Sequence, residues 1–163
     1  CSNQRMPFKE LKQEHVVDCQ IIGFYPILFE RSSQSLTPAS YGIENDIIRA
    51  DFEQPLIHFG IVCASTSCPN LRNEAYTGEK VLVQLDQEAR AFLADPTKNS
   101  LEGNSVQISK IFDWFRGDFE TGFGSVANFL IAYGPSNSIA CEDMDCSSLN
   151  ISYQNYDWSL NKQ

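Results

Sequence analysis

Leu56-Ile57-His58-Phe59-Gly60-Ile61-Val62-Cys63-Ala64 is the stretch on which the fold turns. It follows Pro55 and is apolar at almost every position, so it predicts a central strand covered on both faces. On a continuous strand alternate side chains share a face. Phe59, Ile61 and Cys63 would then point one way, and His58, Gly60, Val62 and Ala64 the other. Ser65-Thr66-Ser67-Cys68-Pro69-Asn70 ends regular structure beyond it.

Working outward, Thr37 and Pro38 mark a helix start, as N-cap and first helical residue. Tyr41, Ile43, Ile47 and Ile48 recur at helical spacing as far as about Arg49 or Ala50. Further upstream, Asp18–Tyr25 reads as a strand and Arg31–Gln34 as a polar turn. Downstream, a helix capped near Thr77 carries the stripe Val81, Leu82, Leu85, Ala89, Phe92 and Leu93, and stops at Asp95-Pro96. Leu101 and Val106–Ile108 flank Glu102-Gly103-Asn104 as a hairpin. Ser109 caps a short aromatic helix with Ile111, Phe112, Trp114, Phe115 and Phe119. Thr121–Gly124 is a turn, Ser125 caps a last helix to about Tyr133, and Gly134-Pro135 closes it. Ile151–Trp158 alternates as a final strand.

The expected architecture is α+β: a small mixed sheet centred on the apolar strand and packed by about four helices. Length predicts a single domain over 1–163. Within it, 1–34 is a divergent N-terminal segment, 35–134 the core, 135–150 a polar loop, and 151–163 the terminal strand and tail.

The formal net charge is −9, from 12 basic and 21 acidic residues, with no basic cluster to offset it. Such a surface repels phosphate backbones, which argues against nucleic acid and suits a basic partner. The longest apolar runs, Ile57–Ala64 and Phe129–Tyr133, are too short to span a bilayer. Glu142, Asp143 and Asp145 form an acidic cluster but no D-x-D-x-D-G type calcium loop, and neither metal nor cofactor is expected.

Six cysteines, Cys1, Cys19, Cys63, Cys68, Cys141 and Cys146, stand beside two histidines. C-x4-C spacing does not suit a zinc ribbon, whereas paired disulfides in an oxidising compartment explain the even count. The simplest pairing is Cys63–Cys68, Cys141–Cys146 and Cys1–Cys19. The first residues, Cys1-Ser2-Asn3, read as those of a chain already cut. A lipoprotein anchored at Cys1, a trimmed chain and a processed organellar protein all fit that reading.

His58-Phe59-Gly60-Ile61-Val62-Cys63-Ala64-Ser65-Thr66-Ser67-Cys68-Pro69-Asn70-Leu71-Arg72 resembles the domain of unknown function 547 family, with its His-Phe, apolar run, Cys and Ser-Cys-Pro-x-Leu-Arg. Ala75–Glu79 and Leu85–Phe92 continue the similarity, as do Ser35-Leu36, Gly42-Ile43-Glu44 and Ile48-Arg49 upstream. Ile108–Phe115 and Tyr156-Asp157-Trp158-Ser159-Leu160-Asn161 also fit. The resemblance covers about 35–134 and 151–161. Asn45 stands where the family has His, and nothing before Ser35 resembles the family's upstream helix. The resemblance implies a fold and no settled activity; bacterial members are often exported.

Two function classes follow. The sharper is a thiol-dependent hydrolase or transferase, with Cys68 as nucleophile, His58 as base and Glu44 orienting the imidazole. Arg72, or backbone N–H groups of the Ser65–Ser67 loop, would hold an oxyanion. On a strand without a bulge, parity keeps Cys63 from pairing with His58. The blander class gives the same residues structural roles. A Cys63–Cys68 disulfide would fix the loop, and His58 would be a core histidine bonded to Glu44 or to backbone. Arg72 would pair with Glu74, and Arg49 would meet a partner across the fold. That reading is the first choice: a non-catalytic accessory or interaction domain, a subunit of a larger assembly. Its setting would be the periplasm, the exterior or an organelle lumen such as the thylakoid lumen. An exposed aromatic left over from the core would favour a partner surface.

Overall fold

A computed structural model describes Arg49 and residues 53–136, 138–139 and 149–161. The expected strand over 18–25, the helix from Thr37 to about Ala50 (Arg49 apart), Glu44, Cys1, Cys19, Cys141 and Cys146 lie outside these residues.

The described elements begin with a 3-10 helix, Pro55–Phe59, and then α1, Val81–Ala94. Strands β1 (Ser100–Glu102) and β2 (Ser105–Ile108) follow, then α2 (Ile111–Trp114), α3 (Arg116–Phe123), α4 (Val126–Tyr133) and β3 (Asn150–Tyr153). The sheet order is β1-β2-β3. β1 and β2 are antiparallel, with Leu101 opposite Val106, while β2 and β3 are parallel, with Val106 beside Ile151 and Ile108 beside Tyr153. The α+β class, the small mixed sheet and the four α-helices are as the sequence predicts.

The position of the sheet is not. The Leu56–Ala64 run forms no strand: its first half is the 3-10 helix and its second half an irregular loop. A short apolar run does not by itself distinguish a buried strand from a buried helical turn. Here local chemistry favours the turn. Pro55 pre-sets a helical φ at the first position, and the Gln54 side chain accepts the Leu56 N–H at 3.2 Å. The Gly60 and Ile61 N–H groups then close on the Ile57 carbonyl at 2.9 and 3.0 Å. A Cβ on Gly60 would lie 2.7 Å from Leu85 Cδ2, so glycine is what lets this turn seat against α1. The alternation that put His58 and Cys63 on opposite faces lapses with the strand.

The turn drives Phe59, fully buried, into the centre of an aromatic core. Its ring lies 5.4 Å from Phe92, 6.0 Å from Phe112, 6.1 Å from Phe119 and 5.7 Å from Phe129, centroid to centroid. One residue from each of the four helices thus meets the 3-10 turn. Burying an aromatic of this size contributes about 2–3 kcal/mol.

Other local signals hold in part. The expected aromatic helix is two, α2 and α3, and α3 runs through Phe123, where the turn Thr121–Gly124 is predicted. α1 starts at Val81 after Lys80 rather than at a Thr77 cap. The hairpin closes through Gly103-Asn104. Ser125 Oγ accepts the Asn128 N–H at 3.0 Å, and Gly124 caps α3 in the left-handed region with φ 80°. Leu82 departs from the predicted stripe and is 41% exposed. Gln84 is buried in its place, because its amide fixes the chain ahead of α1. Oε1 accepts the Thr77 N–H at 3.1 Å, while Nε2 donates to Glu74 Oε1 at 2.7 Å and to the Ala75 carbonyl at 3.0 Å. The terminal strand ends at Tyr153, short of the predicted Trp158.

Candidate functional site

The irregular half of the run, rather than a strand, carries the chemistry. Immediately after Cys63, Ala64 adopts φ 58°, a left-handed conformation that costs a non-glycine residue about 1–2 kcal/mol. The kink reverses the chain. The Cys68 N–H then bonds the Ser65 carbonyl at 3.1 Å, and the Cys63 N–H donates to Cys68 Sγ at 2.8 Å. Cys63 is exposed and Cys68 is buried.

The two are free thiols, so the expected Cys63–Cys68 disulfide is absent from this structure. The reversal brings Cys68 Sγ onto the Cys63 backbone N–H without a covalent link between the two cysteines. The other expected pairs, Cys141–Cys146 and Cys1–Cys19, fall outside the described residues.

The terminal segment completes the site. The Thr66 N–H donates to the Ser159 carbonyl at 2.9 Å and the Ser67 N–H to the Asp157 carbonyl at 3.3 Å. In return the Asp157 N–H donates to Ser67 Oγ at 2.9 Å, and the Asn161 N–H to the Ala64 carbonyl at 2.8 Å. This clasp lays Tyr156 Oη 3.4 Å from Cys63 Sγ, while Ser65 Oγ stands 3.2 Å from the same sulfur. Ser65 Oγ also donates to Tyr156 Oη at 3.0 Å, leaving the phenol its own proton to give to Cys63.

With the Ser65 proton given to the phenol, Tyr156 is the hydroxyl that donates to Cys63 and favours its thiolate. The Cys68 thiol is the largest influence; with the Ser65 and Tyr156 hydroxyls and the Ser65 N–H it outweighs burial and brings the Cys63 pKa down to about 5. Cys68 is driven the opposite way, well above an ordinary thiol, chiefly by the hydrogen bond it gives Cys63 and then by burial. Burial, followed by the bond to Cys63, also raises Tyr156, so the phenol keeps its proton.

His58 is engaged elsewhere. It is buried, its ring stacks on Phe115 at 3.9 Å, and its Nε2 lies 2.8 Å from Asp118 Oδ2. Asp118 also accepts Arg49 Nε at 2.7 Å and Nη2 at 2.9 Å, and the Arg49 guanidinium sits over the Phe115 ring at 5.1 Å. The partner that Arg49 was expected to meet across the fold is therefore Asp118. Burial outweighs that carboxylate and takes the His58 pKa down to about 4, so the imidazole is neutral. Arg49, and after it His58, holds Asp118 below the usual carboxylate range.

Arg72, expected as an oxyanion donor, has its terminal guanidinium nitrogens engaged by acidic and amide side chains. It binds Glu88 at 2.6 Å, Gln87 at 2.9 Å and, as the sequence suggests, Glu74 at 3.6 Å. The structure therefore brings Cys63 and Cys68 together, pairs His58 with Asp118, and fixes Arg72 against α1. Sequence reasoning missed Asp118, Ser65 and Tyr156. For Tyr156 a signal existed, since the sequence reading sets the Tyr156–Asn161 ending beside the Cys63–Cys68 loop among the stretches that resemble one family.

Among the described residues no group of three or more His, Cys, Asp or Glu is placed to hold a metal ion. No helix among them is long and apolar enough to cross a membrane.

Fold and site together define a small α+β domain with a dithiol loop clasped by its terminal segment. Residues 25–93 match the family model described as "Protein of unknown function, DUF547", which bears out the family read from the sequence but with other bounds: the match begins ten residues before Ser35 and does not extend over 94–134 or 151–161. The match includes both thiols and His58 but stops short of Asp118 and Tyr156. No curated protein and no solved structure matches the chain.

Proposed function

We propose that this domain is a thiol redox module in which Cys63 is the attacking thiolate and Cys68 the resolving thiol. One observation carries the reading: an exposed cysteine and a buried one are held in contact, with the Tyr156 hydroxyl, itself bonded by Ser65, set against the exposed sulfur. Reactive thiols occupy such partly exposed, donor-rich surroundings, whereas cysteines buried in apolar cores are inert. Cys63 would attack one sulfur of an external disulfide, forming a mixed disulfide and expelling the other sulfur as a thiolate. Cys68 would then attack Cys63 Sγ and pass its proton to the second departing thiolate, leaving a Cys63–Cys68 disulfide and a reduced partner. The Cys68-His58-Glu44 alternative has less behind it, because burial takes the His58 pKa down to about 4, which makes it a weak base, and its hydrogen bond runs to Asp118 rather than to either thiol.

Limited labelling and a redox titration test the reading. Iodoacetamide at pH 6.5 should modify Cys63 before Cys68. Equilibration with glutathione buffers should give a Cys63–Cys68 disulfide with a potential above about −300 mV, the range of labile rather than structural bonds. A lower potential, or labelling only above pH 8, would return the pair to the role of a structural staple.

A second reading, the accessory subunit of a larger assembly in an oxidising compartment, has its own support. Trp158 is 68% exposed, Leu160 55% and Trp114 45%. Trp158 packs at 5.7 Å on Trp114 and at 4.5 Å on Tyr156, giving a contiguous aromatic surface rather than scattered residues. The native mass of the protein purified under mild conditions tests it, with a monomer counting against it.

A further inference from the structure

The hydroxyls around Cys63 exceed what thiol–disulfide exchange requires. A thiolate leaving group departs unaided, because its conjugate acid is a modest acid with a pKa of about 8.5. An alkoxide or hydroxide leaving group does not; it needs a proton as its bond breaks. Tyr156 Oη, 3.4 Å from Cys63 Sγ and supplied in turn by Ser65 Oγ at 3.0 Å, is a proton donor placed at the reacting sulfur. A resolving thiol is equally specific: Cys68 is useful only if Cys63 becomes electrophilic at sulfur. An acyl-enzyme at Cys63 would have no use for Cys68, and acyl transfer would call on a base at the sulfur, where the thiols' side-chain partners are Ser65 and Tyr156 and not His58. Proton donor and resolving thiol together suit a substrate that breaks an O–O bond.

We propose that Cys63 reduces hydroperoxides, with Tyr156 as the catalytic proton donor and Cys68 as the resolving thiol. This rests on the dithiol reading above. Cys63 Sγ attacks the terminal oxygen of R–O–O–H; the S–O bond forms, the O–O bond breaks, and RO⁻ takes the Tyr156 proton to leave as ROH. The phenolate regains a proton from solvent through Ser65. Cys63 is now a sulfenic acid, oxidised by two electrons while the peroxide is reduced. Cys68 attacks it, expelling water and closing the Cys63–Cys68 disulfide. An external dithiol resets the pair. Trp114 and Trp158, stacked beside Tyr156, give the approach an apolar wall, so organic hydroperoxides as well as hydrogen peroxide fall within the class.

The test uses the full reduced chain, with hydrogen peroxide and cumene hydroperoxide as probes and dithiothreitol as reductant. In Cys68→Ser the sulfenic acid should persist at Cys63 and be trapped there by dimedone. In the parent chain the Cys63–Cys68 disulfide should form instead, faster than free glutathione is oxidised. Tyr156→Phe should lower the peroxide rate at least tenfold relative to its iodoacetamide rate at a pH where Cys63 is ionised, because iodide leaves without a proton (general acids contribute roughly 10²-fold or more). Ser65→Ala, which removes the donor behind Tyr156, should move the same ratio in the same direction if Tyr156→Phe fails to fold. Equal losses in both reactions would overturn the proton-donor role. If Cys63 alkylates and forms its disulfide in glutathione buffers yet gives no dimedone adduct, the peroxide proposal falls and the dithiol reading stands. If Cys63 does not alkylate, both fall.

Discussion

His58 and Cys63 stand five positions apart in one motif, yet the structure puts them to opposite uses. His58 is buried, stacked, neutral and bonded to Asp118; Cys63 is exposed, strained at its neighbour and set against the Tyr156 hydroxyl. His58 belongs to the 3-10 turn that ends at Phe59, and Cys63 to the irregular loop beyond it. The difference teaches that a histidine and a cysteine close in sequence do not make a couple. The deciding matter is what each meets from distant parts of the chain.

The contrast can be broken most forcefully at Asp118. Asp118→Ala leaves the Arg49 guanidinium and the buried imidazole without their common acceptor. It should destabilise the fold by about 3 kcal/mol, read from the midpoint of urea unfolding. The iodoacetamide rate at Cys63 should hold, since the two regions share no hydrogen bond among the described residues. A joint loss of stability and thiol reactivity would merge the two regions into one site.

Acid sharpens the contrast. His58 is depressed from 6.5 to about 4, so the unfolded chain binds a proton that the folded chain refuses between those values. Stability should therefore be fully present above pH 6.5 and fall as pH drops towards 4, by about 3 kcal/mol across the window. Unfolding measured from pH 7 to pH 4 checks this. His58→Phe, which removes the titrating group, should flatten the slope. Cys63 alkylation should titrate separately, near 5.

The smallest effect concerns Ala64. Replacing it with glycine removes the left-handed penalty at φ 58° at the cost of greater freedom in the unfolded chain. A net gain of roughly 0.5–1 kcal/mol is expected, while Ala64→Val should lose stability. Opposite signs for the two, read from urea midpoints, would show that the kink after Cys63 is held against local preference.

What the sequence made legible was local. The hairpin at Gly103-Asn104, the Ser125 and Gly124 caps and the stop at Asp95 each depend on residues within a turn of one another. Leu56–Ala64 was misread because its apolar pattern carries no period, and Gln54, Pro55 and Gly60 tipped it towards a turn. The site partners were out of reach for a different reason. Asp118 lies 60 positions from His58 and Tyr156 lies 93 from Cys63, and pairings at such separations leave no local pattern. The disulfide expectation found the right two cysteines but took proximity for a bond. Exposure and neighbouring hydroxyls decide what such a pair does, and spacing reports neither.

The aromatic centre described around Phe59 has a consequence for where this unit can be cut. The stretch that matches the family ends at Leu93, but three of the rings packed on Phe59 come from Phe112, Phe119 and Phe129. A fragment limited to 25–93 would lose the Phe112, Phe119 and Phe129 rings from around Phe59, and is expected to be prone to aggregation. The portion of the chain recognisable by sequence is thus smaller than the portion that can stand alone. Heredity has marked the loop, while cohesion belongs to the helices that follow it.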